Sequence, residues 1–171
     1  MLFRTHLFLV LIIFLYYIPQ THMGQIYKLI FLVLIILGAK LPDIDTTRSK
    51  IGRQTRPVST IINMFFGHRG LFHSIFFIMA LSIILLLLHV PGLFIVAFAV
   101  GYISHLFLDI FSKRGLRPFW PIKLKIRGPI KTGGYIENAI FLFFILIVVI
   151  LFIKNLSHLG EMVIGVLKPI F

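Results

Sequence analysis

The sequence predicts an all-α fold: a polytopic bundle of about five transmembrane helices with its amino terminus in the cytoplasm. Three observations carry this expectation. Of the 171 residues, 59% are hydrophobic and the mean hydropathy is +1.05, against about 45–50% apolar residues in soluble domains. A soluble domain of this size has no interior large enough to hide them. The apolar residues fall into five runs, at 2–18, 26–41, 71–88, 93–111 and 136–153. The bases then segregate: connections 19–25 and 89–92 contain no Lys or Arg, whereas 42–70 contains five and 112–135 contains seven. That alternation is the one the positive-inside rule assigns to cytoplasmic loops.

A helix crossing the ~30 Å hydrocarbon core needs about 20 residues. By that measure the runs at 2–18 and 26–41 are short and are expected to be tilted or partly inserted, while the other three are long enough. The first run, Arg4 followed by LFLVLIIFLYYI, has the outline of a signal peptide. The next residues, PQTHMGQ, lack a small-residue cleavage pattern, so the run is read as a retained anchor. Residues 1–153 form the membrane-embedded domain, and 154–171, short and polar, are expected to be a carboxy-terminal interfacial segment.

The formal charge of +12, from 17 Lys and Arg against five acids, would suit nucleic acid if the bases covered a soluble face. They crowd instead into 48–56 and 113–131, beside the ends of apolar runs, so nucleic acid is not an expected partner and membrane lipid is. Cysteine is absent, which excludes disulfides and leaves His, Asp, Glu or water as metal ligands.

On this topology eight titratable residues fall at one membrane face: His6, Asp43, Asp45, His68, His73, His105, Asp109 and Glu137. Four of the five acids therefore share a face with four of the seven histidines. His22, His89, His158 and Glu161 lie at or near the other. An Asp within an apolar helix costs up to about 2.5–3.5 kcal/mol on insertion, so Asp109 calls for a partner. His105, one turn earlier, projects from the same helix face, with Gly101 removing bulk from that stripe. The bland alternative is a His–Asp hydrogen bond that merely satisfies two buried groups.

Asp43 and Asp45 in KLPDIDTT point apart on a helix or strand, and Pro42 favours a turn there. One is then a ligand and the other an orienting group or a helix cap. In GHRGLFHS, Gly67 and Gly70 allow a loop that folds His68 toward His73 and presents Arg69 to an anion. His6 and Glu137 carry weaker signals, since an interfacial histidine or a helix-capping glutamate would look the same. Nitrogen and oxygen donors together suit zinc first, with manganese or iron as alternatives, and a set of this size can hold one or two ions.

LPDIDTTRSKIGR, HRGLFHS and GYISHLFLDIFSKRG, in that order and with an amino-terminal histidine, resemble the YdjM-like family of inner-membrane proteins to which metal-dependent hydrolysis is ascribed. The likeness spans roughly residues 1–137. It implies a metal site made of His6, Asp43, Asp45, His68, His73, His105 and Asp109. Phe72 stands where the family often has Thr, and Thr46 and Thr47 where it often has His or another polar residue.

The function expected is a hydrolase of the cytoplasmic membrane with a divalent ion, acting on a phosphoester or other anionic substrate, lipid or small molecule, at the cytoplasmic face. Asp45 or Glu137 would be the base or orienting group, and Arg53, Arg56 and Arg69 would hold the anion. Those arginines would equally serve as topology signals and contacts for anionic lipid. Two rivals stand beside this: a non-catalytic metal-binding scaffold, and a metal-free lipid phosphatase of the phosphatidate type, whose RP, GH and HxxxD segments are loosely matched by Arg56-Pro57, Gly67-His68 and His105/Asp109. Transport is disfavoured because the middles of all five runs are almost purely apolar.

Overall fold

The computed structural model describes residues 1–45, 60, 64, 70–158, 160 and 164. Among them every run of high hydropathy becomes a helix: α1 (Phe3–Tyr17), α2 (Gln25–Lys40), α3 (Ile75–Leu87), α4 (Gly92–Ile110) and α5 (Tyr135–Lys154). Short 3-10 turns extend α1 through Gln20 and α2 through Asp45, and a third, Leu71–His73, precedes α3. The helical bundle is as expected.

Helix lengths depart from expectation at three of the five runs. With their 3-10 extensions the first two reach 18 and 21 residues, so among the described residues four helical stretches are long and apolar enough to cross a membrane. The third run, which looked ample, yields a helix of only 13 residues, about 20 Å long. The cause is at its ends. Ser74 is extended and its hydroxyl accepts from Phe77 N–H, so the helix begins four residues late. At the other end His89 takes a positive φ of 57° just before Pro91, which halts the helix.

α2 and α4 form the most extensive helix pair, and α1 packs on α5. Two glycines explain how closely the first pair approaches. A Cβ on Gly101 would lie 1.9 Å from Ile35 O, and one on Gly38 would lie 2.1 Å from Phe98 O. Backbone therefore meets backbone at both positions. In lipid, where apolar side chains gain little from leaving their surroundings, such small-residue contact is what lets dispersion hold helices together. The apolar core is Val10, Phe14 and Leu15 of α1, Phe31, Ile35 and Ala39 of α2, and Ala97 of α4.

α5 is tied to α1 near both ends. Asn155 donates to Leu15 O (3.0 Å) and Leu151 O (2.8 Å), while Arg4 Nη2 donates to Asn138 Oδ1 (2.6 Å). Most of its outer surface, including Leu142, Phe143, Leu146 and Ile153, is exposed, as a lipid-facing helix requires.

Between α4 and α5 the chain makes a folded loop. Leu116 pairs antiparallel with Ile126 and Ser112 parallel with Ile130, and Ile75 N–H, at the start of α3, donates to Pro118 O (2.8 Å). Gly115, at φ +65°, makes the turn possible, since a Cβ there would stand 2.2 Å from Ile126 O. The alternation of helices thus gathers the start of α1, the end of α2, the start of α3, the end of α4 and the start of α5 at one end of the bundle.

Candidate metal centre

At that end three imidazoles converge on two carboxylates. His105, in the last two turns of α4, is 1% exposed, and its Nδ1 lies 2.8 Å from Ala39 O at the end of α2. A carbonyl oxygen only accepts, so Nδ1 carries the proton and Nε2 keeps its lone pair. Nε2 lies 3.9 Å from Asp43 Oδ1 and 4.0 Å from Asp109 Oδ2. His105 and Asp109 do share a helix face, but that separation is too long for the simple hydrogen bond that would have explained them as a self-satisfied pair.

His73 repeats the arrangement from another element. Its Nδ1 is 2.8 Å from Asp45 Oδ2, and Nε2 is turned toward Asp109 Oδ2 at 3.9 Å. His6, in the first turn of α1, stacks on the His105 ring with centroids 3.9 Å apart and planes 10° apart, and its Nε2 is 3.5 Å from Asp109 Oδ1. The α-amino group of Met1 also bonds to Asp109 Oδ1.

The sequence left open which of Asp43 and Asp45 faces the cluster. The Leu41–Asp45 turn directs Asp43 to His105 and Asp45 to His73 Nδ1. Asp43 is also the partly open member, its side chain 23% exposed against 2% or less for Asp45, Asp109 and the three histidines.

Glu137 is buried at the same end, and its oxygens accept from Leu2 N–H, Thr5 Oγ1 (3.1 Å) and Gly133 N–H (2.6 Å). It thereby joins the starts of α1 and α5. His68, Arg69, Arg53 and Arg56, and with them Gly67 of the GHRG loop, lie outside the described residues, as do Thr46 and Thr47.

Among the described residues two sets of side chains have the spacing of a metal site. His6, His105 and Asp109 form one and Asp43, His73 and His105 the other, with donor atoms within 4.8 Å of one another in each. A further observation fits a cation: both ring nitrogens of His6 and Nε2 of His105 are buried without a hydrogen-bond partner among the described residues. Buried polar atoms are normally satisfied, and leaving one orphaned costs about 1–3 kcal/mol. Histidines whose far nitrogen is fixed by a carbonyl or carboxylate while the near one faces a cluster are typical of metal ligands.

Sequence reasoning missed two residues that build the centre. Ala39 anchors His105 through its carbonyl, which no side-chain pattern reveals. Tyr102, fully buried on α4, donates its hydroxyl to Phe72 O (2.8 Å) and so holds the turn that carries His73 against α4. Its only sequence signal was a hydroxyl one turn before His105 on an apolar helix. Tyr102→Phe is expected to destabilise the protein by about 1–2 kcal/mol and to weaken metal binding, as checked by thermal unfolding in detergent and by metal titration. Unchanged affinity would remove Tyr102 from this role.

Fold and cluster together define a multi-pass helical membrane protein with a buried histidine–aspartate centre at one end of its bundle. The description "YdjM inner membrane protein" matches residues 1–167, and the chain belongs to that family. Over 107 residues it is 35% identical to the uncharacterized protein YvsG of Bacillus subtilis (strain 168), covering 61% of this chain and 66% of that one. Over 113 residues it is 37% identical to inner membrane protein YdjM of Escherichia coli (strain K12), covering 61% of this chain and 58% of that one. The protein of the same name from Shigella flexneri matches equally. The chain thus spans less than two thirds of the length of these relatives. No solved structure matches it.

Proposed function

We propose that the chain is a metal-dependent hydrolase of the membrane interface, acting on phosphoesters or related anionic substrates on the cytoplasmic side that its loop charges predict. The observation that carries this reading is the pair of histidines, His105 and His73, whose Nδ1 atoms meet a carbonyl and a carboxylate while their Nε2 atoms are turned toward Asp43 and Asp109. Nitrogen and oxygen donors without thiolate favour zinc, with manganese or iron as the next candidates. A divalent ion there supplies Lewis acidity toward a carbonyl or phosphoryl oxygen.

The protein's own residues divide the remaining work. His6, His105 and Asp109 hold one side of the centre, and Asp43 and His73 the other. His105 has one nitrogen to offer, because Ala39 takes the second, so it would hold a single ion. Asp109 turns Oδ1 to His6 and Oδ2 to His73 and His105, and would offer an oxygen to either side. Asp45 orients His73. Glu137, engaged by α1 and the 133 loop, acts on the site through the position of His6. Arg53, Arg56 and Arg69 are the cations assigned to the substrate's charge.

A second reading, a non-catalytic metal scaffold, draws on the depth of burial: His6, His73, His105 and Asp109 are each at most 1% exposed. One experiment separates the readings. Purified protein is analysed for metal and assayed on phosphomonoesters, phosphodiesters and carboxylic esters, with and without chelator. Bound metal with chelator-sensitive turnover of a phosphoester is the expected result. Bound metal without turnover on any class favours the scaffold, and turnover that survives chelation favours a metal-free phosphatase of the phosphatidate type.

A further inference from the structure

The loop joining α4 to α5 crosses the site end of the bundle with a surface of mixed chemistry. All seven of its bases are exposed, and so are Phe119, Ile122 and Leu124, at 37%, 59% and 54%. Residues 122–127, IKLKIR, alternate apolar and basic. The segment lacks helix, and Ile126 pairs with Leu116, itself fully buried in the cluster that includes Tyr102 and Leu106. Ile122 and Leu124 are thus exposed in alternation with Lys123, Lys125 and Arg127, which are exposed as well.

We propose that this loop is a docking surface for anionic phospholipid headgroups of the bilayer that its own helices span. Its position is set at both ends, since it leaves α4 at Ile110 and enters α5 at Tyr135, and both helices are long and apolar enough to cross. It therefore lies at the membrane boundary. A sidedness signal requires only charge. It does not require folded backbone, and it gains nothing from exposed Ile and Leu set between the bases. That alternation suits the boundary between headgroups and acyl chains, where apolar side chains enter the chains and long basic side chains reach the phosphates. Each base there adds attraction to an anionic surface, and the attraction decays within a Debye length. The proposal concerns a surface separate from the metal centre and does not depend on it.

The chain's one tryptophan, Trp120, lies in this loop and provides the measurement. Full-length protein is placed in nanodiscs of fixed phosphatidylglycerol and phosphatidylcholine content, with bromine on the acyl chains of one lipid or of the other. Trp120 quenching is expected to report phosphatidylglycerol enriched about fivefold over the bulk ratio, the effect of a single base held at an anionic surface. The enrichment should fall as salt is raised, and should approach parity in K123Q/K125Q/R127Q. Equal quenching by the two lipids in the wild type, no quenching by either, or a preference unchanged in the triple variant would each overturn the proposal. Should the triple variant fail to fold, the wild-type salt titration decides, because a salt-independent preference is incompatible with charge recognition.

Discussion

Asp109→Asn is expected to lower divalent-metal affinity by more than about 100-fold and to leave the purified protein without stoichiometric metal. Removing a group that only orients a ligand costs about 10–100-fold, and Asp109 is more central than that. Its two oxygens face His6 on one side and His73 and His105 on the other. Asparagine keeps the shape but offers a neutral oxygen, so lost binding would report chemistry and not packing. His105→Ala combined with Asp109→Ala should abolish binding altogether. The control is His22→Ala, exposed on the short 3-10-to-α2 connection at the opposite end, which should bind metal normally. Elemental analysis and metal titration of detergent-purified protein make the comparison, and metal retained by Asp109→Asn at wild-type affinity would end the metal-centre reading.

Gly101→Val is expected to be the most destabilising single substitution considered, at about 3 kcal/mol or more. The Cβ it introduces would stand 1.9 Å from Ile35 O and 3.0 Å from Ala39 N. Both are backbone atoms of α2, which no rotamer change can move. The two helices must part, and the parting acts on the centre directly, since His105 lies one turn beyond Gly101 and is held by Ala39 O. Metal affinity should therefore fall with stability. Gly38→Ala probes the same contact from α2, where the obstacle is Phe98 O at 2.1 Å. At Gly92, the start of α4, an added Cβ would meet nothing within 4 Å, so Gly92→Ala should be tolerated. Thermal unfolding in detergent ranks the three, and a Gly101→Val protein as stable as wild type would contradict the close helix contact.

Much of the centre could be read from spacing. His105 and Asp109 are one turn apart, and that alone puts them on one helix face. His6, Asp43 and His73 then follow from an alternating topology, because each lies at the end of its apolar run that the alternation brings to the same face. The short α3 was not legible, since hydropathy continues through Leu71 and Phe72 into the helix and gives no sign that Ser74 will cap it. Nor was the work of Glu137, whose engagement with Leu2, Thr5 and Gly133 depends on α1 and α5 being neighbours.

What the sequence determines by itself is the class of molecule and the end of it that carries the polar groups. Hydropathy runs and loop charges are local properties, and they act on each segment before any helix has met another. The tertiary structure alone decided that Asp43 faces His105 while Asp45 holds His73, that Ala39 and Tyr102 support His105 and the turn carrying His73, and that glycines let α2 and α4 touch. Each of these is a contact between segments 28 to 66 residues apart, and direction across such a gap is set by packing, which spacing along one chain does not encode.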